Sequence, residues 1–262
     1  MTENASSLSS ILVDVELPKP ASPSPALVDL LASLRIVLVG WYAVPEQTTP
    51  AQARDQFEES AQTALDTVAR AFEEAGAEVE SHLVFTGDQL DTISRISTEA
   101  NCDAVLIPAR MERLDRILVP LRGLHNARRI APLVTDLVRD SASVKKKTTE
   151  VTLLHVLEEG ETEAHARENV LQPTADLITG HGIDAGLLHF DAVSADDPGN
   201  AIVERAADFD LVVIGETKPS VREILFGSVP EQIVGTVEIP VIVVRHEEEA
   251  VKVAERATQT GE

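Results

Sequence analysis

Gly227 and Ser228 stand directly before a segment, SVPEQIVGTV, whose apolar residues recur at helical spacing, and Gly215 lies twelve positions upstream at the end of the apolar run LVVIG. Glycines can take positive φ and turn backbone N–H groups toward an anion, and a serine that starts a helix adds its hydroxyl where the helix dipole favours negative charge. Strand, glycine, loop, Gly-Ser and helix from Val229 are the parts of a phosphate-holding loop. Lys218 and Pro219 lie inside it. Proline donates no N–H, fixes its own φ and restricts the residue before it, so part of the donor array is expected to be missing. One phosphate is a better fit to this loop than three.

Other chemistries find little to work with. No G-x-S-x-G, G-x4-G-K-[ST], H-E-x-x-H or C-x-x-C pattern occurs. The seven histidines occur singly; His155, inside an apolar strand, reads as a core or edge residue. The two acids of SADDPGN are explained as helix caps, and the single cysteine, Cys102, reads as a small buried thiol. No catalytic residue and no metal ligand is assigned.

The formal charge of -22, with acids outnumbering bases 44 to 22, argues against nucleic-acid binding, which needs clustered Lys and Arg. The only basic run, KKK before Thr148, reads as a solvated loop. An acidic, lysine-poor surface suits a halophilic protein, because concentrated salt screens the repulsion that such a charge creates. No basic-then-apolar leader is evident at the N-terminus. The apolar stretch ALVDLLASLRIVLVGWYAV is interrupted by Asp29 and Arg35, so no membrane insertion is expected and a cytoplasmic location is.

The elements that must position the loop come as one unit written twice. ILVDVELPKP pairs with ILVPLRG as a first strand, PALVDLL with APLVTDLV as a helix, and RIVLVGW with VTLLHVL as a second strand. Residues 52–75 place apolar side chains at three- and four-residue spacing, a helix stopped by Gly76; residues 162–179, stopped by Gly180, are the counterpart. AEVESHLVF and IDAGLLHF are third strands. Near-continuous apolar strands are covered on both faces and belong to parallel sheets with helical crossovers. The expected fold is α/β: two flavodoxin-like, Rossmann-like doubly wound domains in tandem. They span 8–113 and 114–247, followed by a flexible tail, 248–262. The first copy has too few residues after its fourth strand for another helix and strand. It reads as structural, a sheet for the second half to pack on, and Trp41 and Tyr42 at its crevice read as packing rather than base stacking.

The run RILVPLRG, VTLLHVLEE and DLVVIGE, ending in FGSVPEQIVGTVEIPVIVVR, resembles the universal stress protein family over residues 116–246. The resemblance fades to a shortened copy over residues 8–113. It implies a loop of the form G-x2-G-x9-G-[ST] for ATP in some members, with Mg. Gly215, Gly227 and Ser228 fit that form, whereas Lys218 replaces the middle glycine and the spacing is one residue short. The resemblance also places Val156 at the base contact, and Pro120 and Arg122 at the end of the first strand, where nucleotide binders of the family carry an acid at the position of Arg122. An arginine there either takes an anion bidentately or pairs with a neighbouring acid at the surface.

The function so implied is a non-catalytic stress-response or regulatory protein with weakened or lost ATP binding. One alternative is a nucleotide switch or slow ATP hydrolase using the loop from Gly215 to Ser228. Another is a cytosolic regulator of a membrane transporter. A homodimer is expected through the free edge of the last strand, from Ile239 to Arg245.

Overall fold

The computed structural model describes residues 9–44, 47–124, 127–145, 148–215, 233 and 236–245. Nine strands join into one sheet. β1 (Ser10–Leu17), β2 (Arg35–Ala43), β3 (Glu78–Thr86) and β4 (Ala104–Ile107) come from the N-terminal half. β5 (Arg116–Pro120), β6 (Glu150–Leu157), β7 (Leu188–Ser194), β8 (Leu211–Gly215) and β9 (Val241–Val244) come from the C-terminal half. The order is β3-β2-β1-β4-β9-β8-β5-β6-β7. Within each half every pairing is parallel, and the halves meet where β9 runs antiparallel to β4.

This junction corrects two expectations. The first half does not offer a face for the second to pack on; it continues the same sheet edge to edge. β9 also has no free edge for a homodimer from Ile239 to Arg245, because Val241 to Val244 are in register with β8 on one side and with β4 on the other. The physical reason is the short N-terminal half: it ends at β4 without a fifth strand, leaving an unpaired edge that β9 satisfies.

The crossover helices are amphipathic and capped as their sequences require. α1 (Pro25–Leu31) starts at Ser24, whose hydroxyl accepts the Leu27 N–H. α2 (Pro50–Glu74) has a reciprocal capping box between Thr49 and Gln52. Gly76, at φ 107°, ends it, as the sequence predicts. α3 (Gln89–Glu99) begins at Asp88 and α4 (Ala127–Lys145) follows β5. The helix predicted over 162–179 is α5 (Glu163–Ala166), a π turn (Arg167–Leu171) and α6 (Gln172–Gly180). Pro173 has no N–H for the preceding turn, which accounts for the wide turn before it. Gly180 does not stop this helix; Gly182, at φ 101°, does. The third strand also begins later than predicted, at Leu188, because Asp184 accepts the Gly186 N–H and winds residues 185–187 into a 3-10 turn. α7 (Pro198–Ala206) is capped by Asp197, as read from the sequence.

Two apolar layers cover the sheet. One holds α1, α2, α4 and α6 against Ile11, Leu38, Val119 and Leu153, and runs through both halves without interruption. The other holds α3, α7 and Ile233 against Leu12, Val39, Leu118, Leu154 and Ile214. Cys102 is buried in this second layer, and burial pushes its thiol up to about 11.

Candidate functional site

In the C-terminal half the strand order reverses between β5 and β8. β5 and β6 send their connections, α4 and then α5–α6, to one face, whereas α7 enters β8 from the other. Among the described residues no crossover covers the gap at the carboxyl ends of β5 and β8, the place where open α/β sheets take ligands. A cavity of about 910 Å³ opens there, within the size range of small-molecule sites.

Strand alternation explains its floor. Leu154 and Val156 of β6 and Ile214 of β8 point to the α7 face, where Ile202 and Ile233 meet them. The rim is charged: Glu158, Glu159 and Glu161 after β6, Asp196 after β7, and Arg122 after β5. Among the described lining residues four carboxylates face one guanidinium. The Arg122 side chain is 83% exposed, with its Nε 4.0 Å from a Glu158 carboxylate oxygen. A pair this open to solvent contributes little to stability.

Four of the residues singled out from sequence, Pro120, Arg122, Val156 and Gly215, line this one cavity. The other four, Lys218, Gly227, Ser228 and Val229, lie outside the described residues, as does Pro219.

Sequence reasoning missed how the rim is built. Glu158 to Glu161 form a turn: the Glu161 N–H donates to the Glu158 carbonyl at 2.9 Å, and Gly160 supplies the positive φ, 80°, that its third position needs. The Glu161 carboxylate closes the turn by accepting the Glu158 N–H at 2.9 Å, and the same oxygen lies 3.0 Å from Nε2 of His155. The Glu158 N–H, and after it His155, hold the Glu161 carboxyl below the usual carboxylate range. The Gly following two glutamates at a strand end was the readable signal for a turn; its link to His155 had none.

The corresponding end of β1 and β2 in the N-terminal half is packed. Trp41 donates its Nε1–H to Asp14 at 3.2 Å, and Gln89 donates to the same carboxylate oxygen at 2.8 Å. Burial raises the Asp14 carboxyl despite both donors. Tyr42 stacks on Phe57 with ring centres 5.0 Å apart. Tyr42 has a packing partner and Trp41 a hydrogen-bond partner.

Comparison with known proteins agrees with this architecture. A profile of the Universal stress protein family matches residues 115–245. No curated protein sequence matches the chain. Among solved structures, a universal stress protein from Archaeoglobus fulgidus DSM 4304 superposes with a TM-score of 0.61 at 18% identity, covering 91% of this chain and 98% of that one. A Pseudomonas aeruginosa UCBPP-PA14 protein provisionally assigned to the same family gives 0.56 at 19% identity, over 96% of this chain and 98% of its own. A protein of unknown function from Pseudomonas aeruginosa PAO1 gives 0.54 at 18% identity, with the same coverage. At these identities the structures speak for the fold, while the profile, which spans half of the chain and takes in both strands beside the cavity, speaks for kinship. The chain belongs to the universal stress protein family.

Proposed function

We propose that the chain is a non-catalytic regulatory module whose C-terminal half takes an adenine nucleotide weakly, preferring one phosphate to three. The observation that carries this reading is the cavity between the ends of β5 and β8, with an apolar floor that suits a base and a rim of four carboxylates to one arginine. Each further phosphate adds negative charge against that rim, and the Pro219 ring removes a donor from the loop that would offset it. The two halves serve as domains 8–113 and 114–247, the first standing in for the second subunit of a dimer; the antiparallel pairing of β4 with β9 supports this arrangement.

Calorimetric titration tests the ligand. ATP with Mg²⁺ is expected to bind with a Kd above roughly 100 µM, a free energy weaker than about -5.5 kcal/mol, with AMP equal or tighter and no ATP turnover. Micromolar ATP binding at matched ionic strength would overturn the preference, and absence of binding by every adenine nucleotide would overturn the ligand class.

We further assign the charge of -22 to work in concentrated salt. The melting temperature is expected to rise continuously as KCl is raised from about 0.1 M to about 2 M, because screening at these strengths shortens the reach of repulsion from about 10 Å to about 3 Å or less. A flat or falling curve in a differential scanning experiment would sink this assignment.

A further inference from the structure

His155 is the buried charged-type residue that the cavity does not display. It sits on β6 between Leu154 and Val156, which line the cavity, and points the other way; its side chain is 3% exposed. The β5–β6 ladder ends at the register pair Pro120–Leu154, after which the Leu121 N–H still reaches the Leu154 carbonyl at 2.7 Å. Beyond that point the His155 ring takes over. Nδ1 lies 2.8 Å from the Leu121 carbonyl oxygen, and Nε2 lies 3.0 Å from the Glu161 carboxylate. Leu121, after β5, and Glu161, after β6, both line the cavity.

A carbonyl oxygen only accepts, and so does an ionised carboxylate. Both ring nitrogens must therefore donate, which requires the imidazolium form. With a neutral ring, one of the two contacts becomes a lone pair facing a lone pair, in a place that water barely reaches. We infer that His155 is a positioning residue for the ligand cavity: its imidazolium ties the 158–161 turn to the end of β5, and loss of its proton releases that lip. The inference rests on the nucleotide reading above for the identity of the probe, but not for the contact itself.

The groups around the ring fix the direction of the effect. Glu161 is its direct partner; Glu158 and Glu159 share the turn, His165 of α5 acts on Glu161, Asp196 stands on the rim after β7, and Arg122 follows Leu121. Carboxylates outnumber bases in this set, so the proton on His155 is the link that holds an acidic lip inward, and rising pH removes it.

The experiment uses the full chain and AMP as probe. The His155 ring is followed by nitrogen-edited NMR across its titration, AMP affinity is measured over the same pH series, and amide exchange at Glu158 is measured without ligand. Expected are a ring that donates from both nitrogens at low pH, and a fall in AMP affinity of about fivefold or more centred on the NMR midpoint. Glu158 exchange is expected to quicken about tenfold through the same midpoint; 1.4 kcal/mol per decade makes this the loss of about one charged hydrogen bond. Glu161→Gln is the diagnostic variant. The Glu161 oxygen that accepts the Glu158 N–H is the one that meets Nε2. A single amide atom in its place serves only one of the two, an oxygen the Glu158 N–H or a nitrogen a neutral ring, so the turn no longer depends on the proton of His155 and both steps should vanish.

An affinity profile that ignores the His155 midpoint, or a Glu161→Gln profile identical to the parent's, would overturn the inference. So would a ring that is neutral throughout while Glu158 stays protected. Should AMP bind at no pH, the nucleotide reading fails, and the exchange data alone decide for or against the positioning role of His155.

Discussion

Replacing Arg245 with alanine is expected to lower the stability of the whole chain by about 2–4 kcal/mol, a drop in melting temperature of about 4–8 °C. Arg245 follows β9, yet its guanidinium lies in the other half of the molecule and the residue is only 7% exposed. One terminal nitrogen donates to the Ser97 carbonyl at 2.7 Å and to the Cys102 carbonyl at 3.4 Å; the other donates to the Thr98 hydroxyl at 3.0 Å. Ser97 and Thr98 belong to the last turn of α3, where outward-facing carbonyls and the negative end of the helix dipole both favour a cation. The backbone completes the clamp, with the Arg245 N–H donating to the Asp103 carbonyl at 2.9 Å and Arg129 donating to the Arg245 carbonyl at 3.0 Å.

Truncation to alanine would leave the Ser97 and Cys102 carbonyls without this donor and remove a charge that had already been desolvated. The loss should therefore exceed that of any surface ion pair of the chain. Arg245→Lys keeps the charge but not the fork that reaches two partners at once, and should recover about half of the loss. Chemical denaturation of the three proteins measures this. An alanine variant within about 0.5 kcal/mol of the parent, the range of ordinary surface changes, would show that the clamp contributes nothing.

Arg245 also shows where the sequence stops being informative. Its neighbours PVIVV read as a buried strand, and that is what they form. Whether such a strand has one partner or two leaves no mark on its own residues, because an apolar run suits either case. The antiparallel partner, β4, is about 140 positions earlier in the chain, and nothing local to either strand selects the other. By contrast, elements set by local rules were legible. The stripe of α2 and the stop at Gly76 follow from spacing and backbone preference alone.

The cavity was legible to the same degree. Pro120, Val156 and Gly215 could be named from sequence because the family resemblance assigns them to strand ends, and strand ends in a doubly wound sheet have fixed neighbours. The Glu161–His155 contact could not, since it depends on a side chain of a turn folding back beneath the strand that precedes it. Ile183 to Leu187 were read as strand because their apolar residues suit one; the Asp184 side chain, which captures the Gly186 N–H, decided otherwise.

Ile242→Ala should unfold both halves together at a lower temperature, and this is the sharper test of how the molecule is held. Ile242 is fully buried, in register with Leu106 of β4 and Val213 of β8. Its side chain belongs to the apolar layer that runs from Ile11 and Phe72 through Leu137 to Val244 without a break between the halves. Removing its outer carbons costs their transfer energy and leaves a cavity that strands bonded on both edges cannot close, about 3–4 kcal/mol, against about 1 kcal/mol for Ile242→Val. α1 and α4 meet in the same layer, and Ser9 donates to Asp136 across the junction at 2.7 Å, so neither half keeps a complete core when β9 loosens. Calorimetry of Ile242→Ala should show one transition, displaced downward as a whole. If a second transition stayed at the parent's temperature, one half would own its core, and β9 would be a strap between two independent domains rather than the shared centre of one sheet.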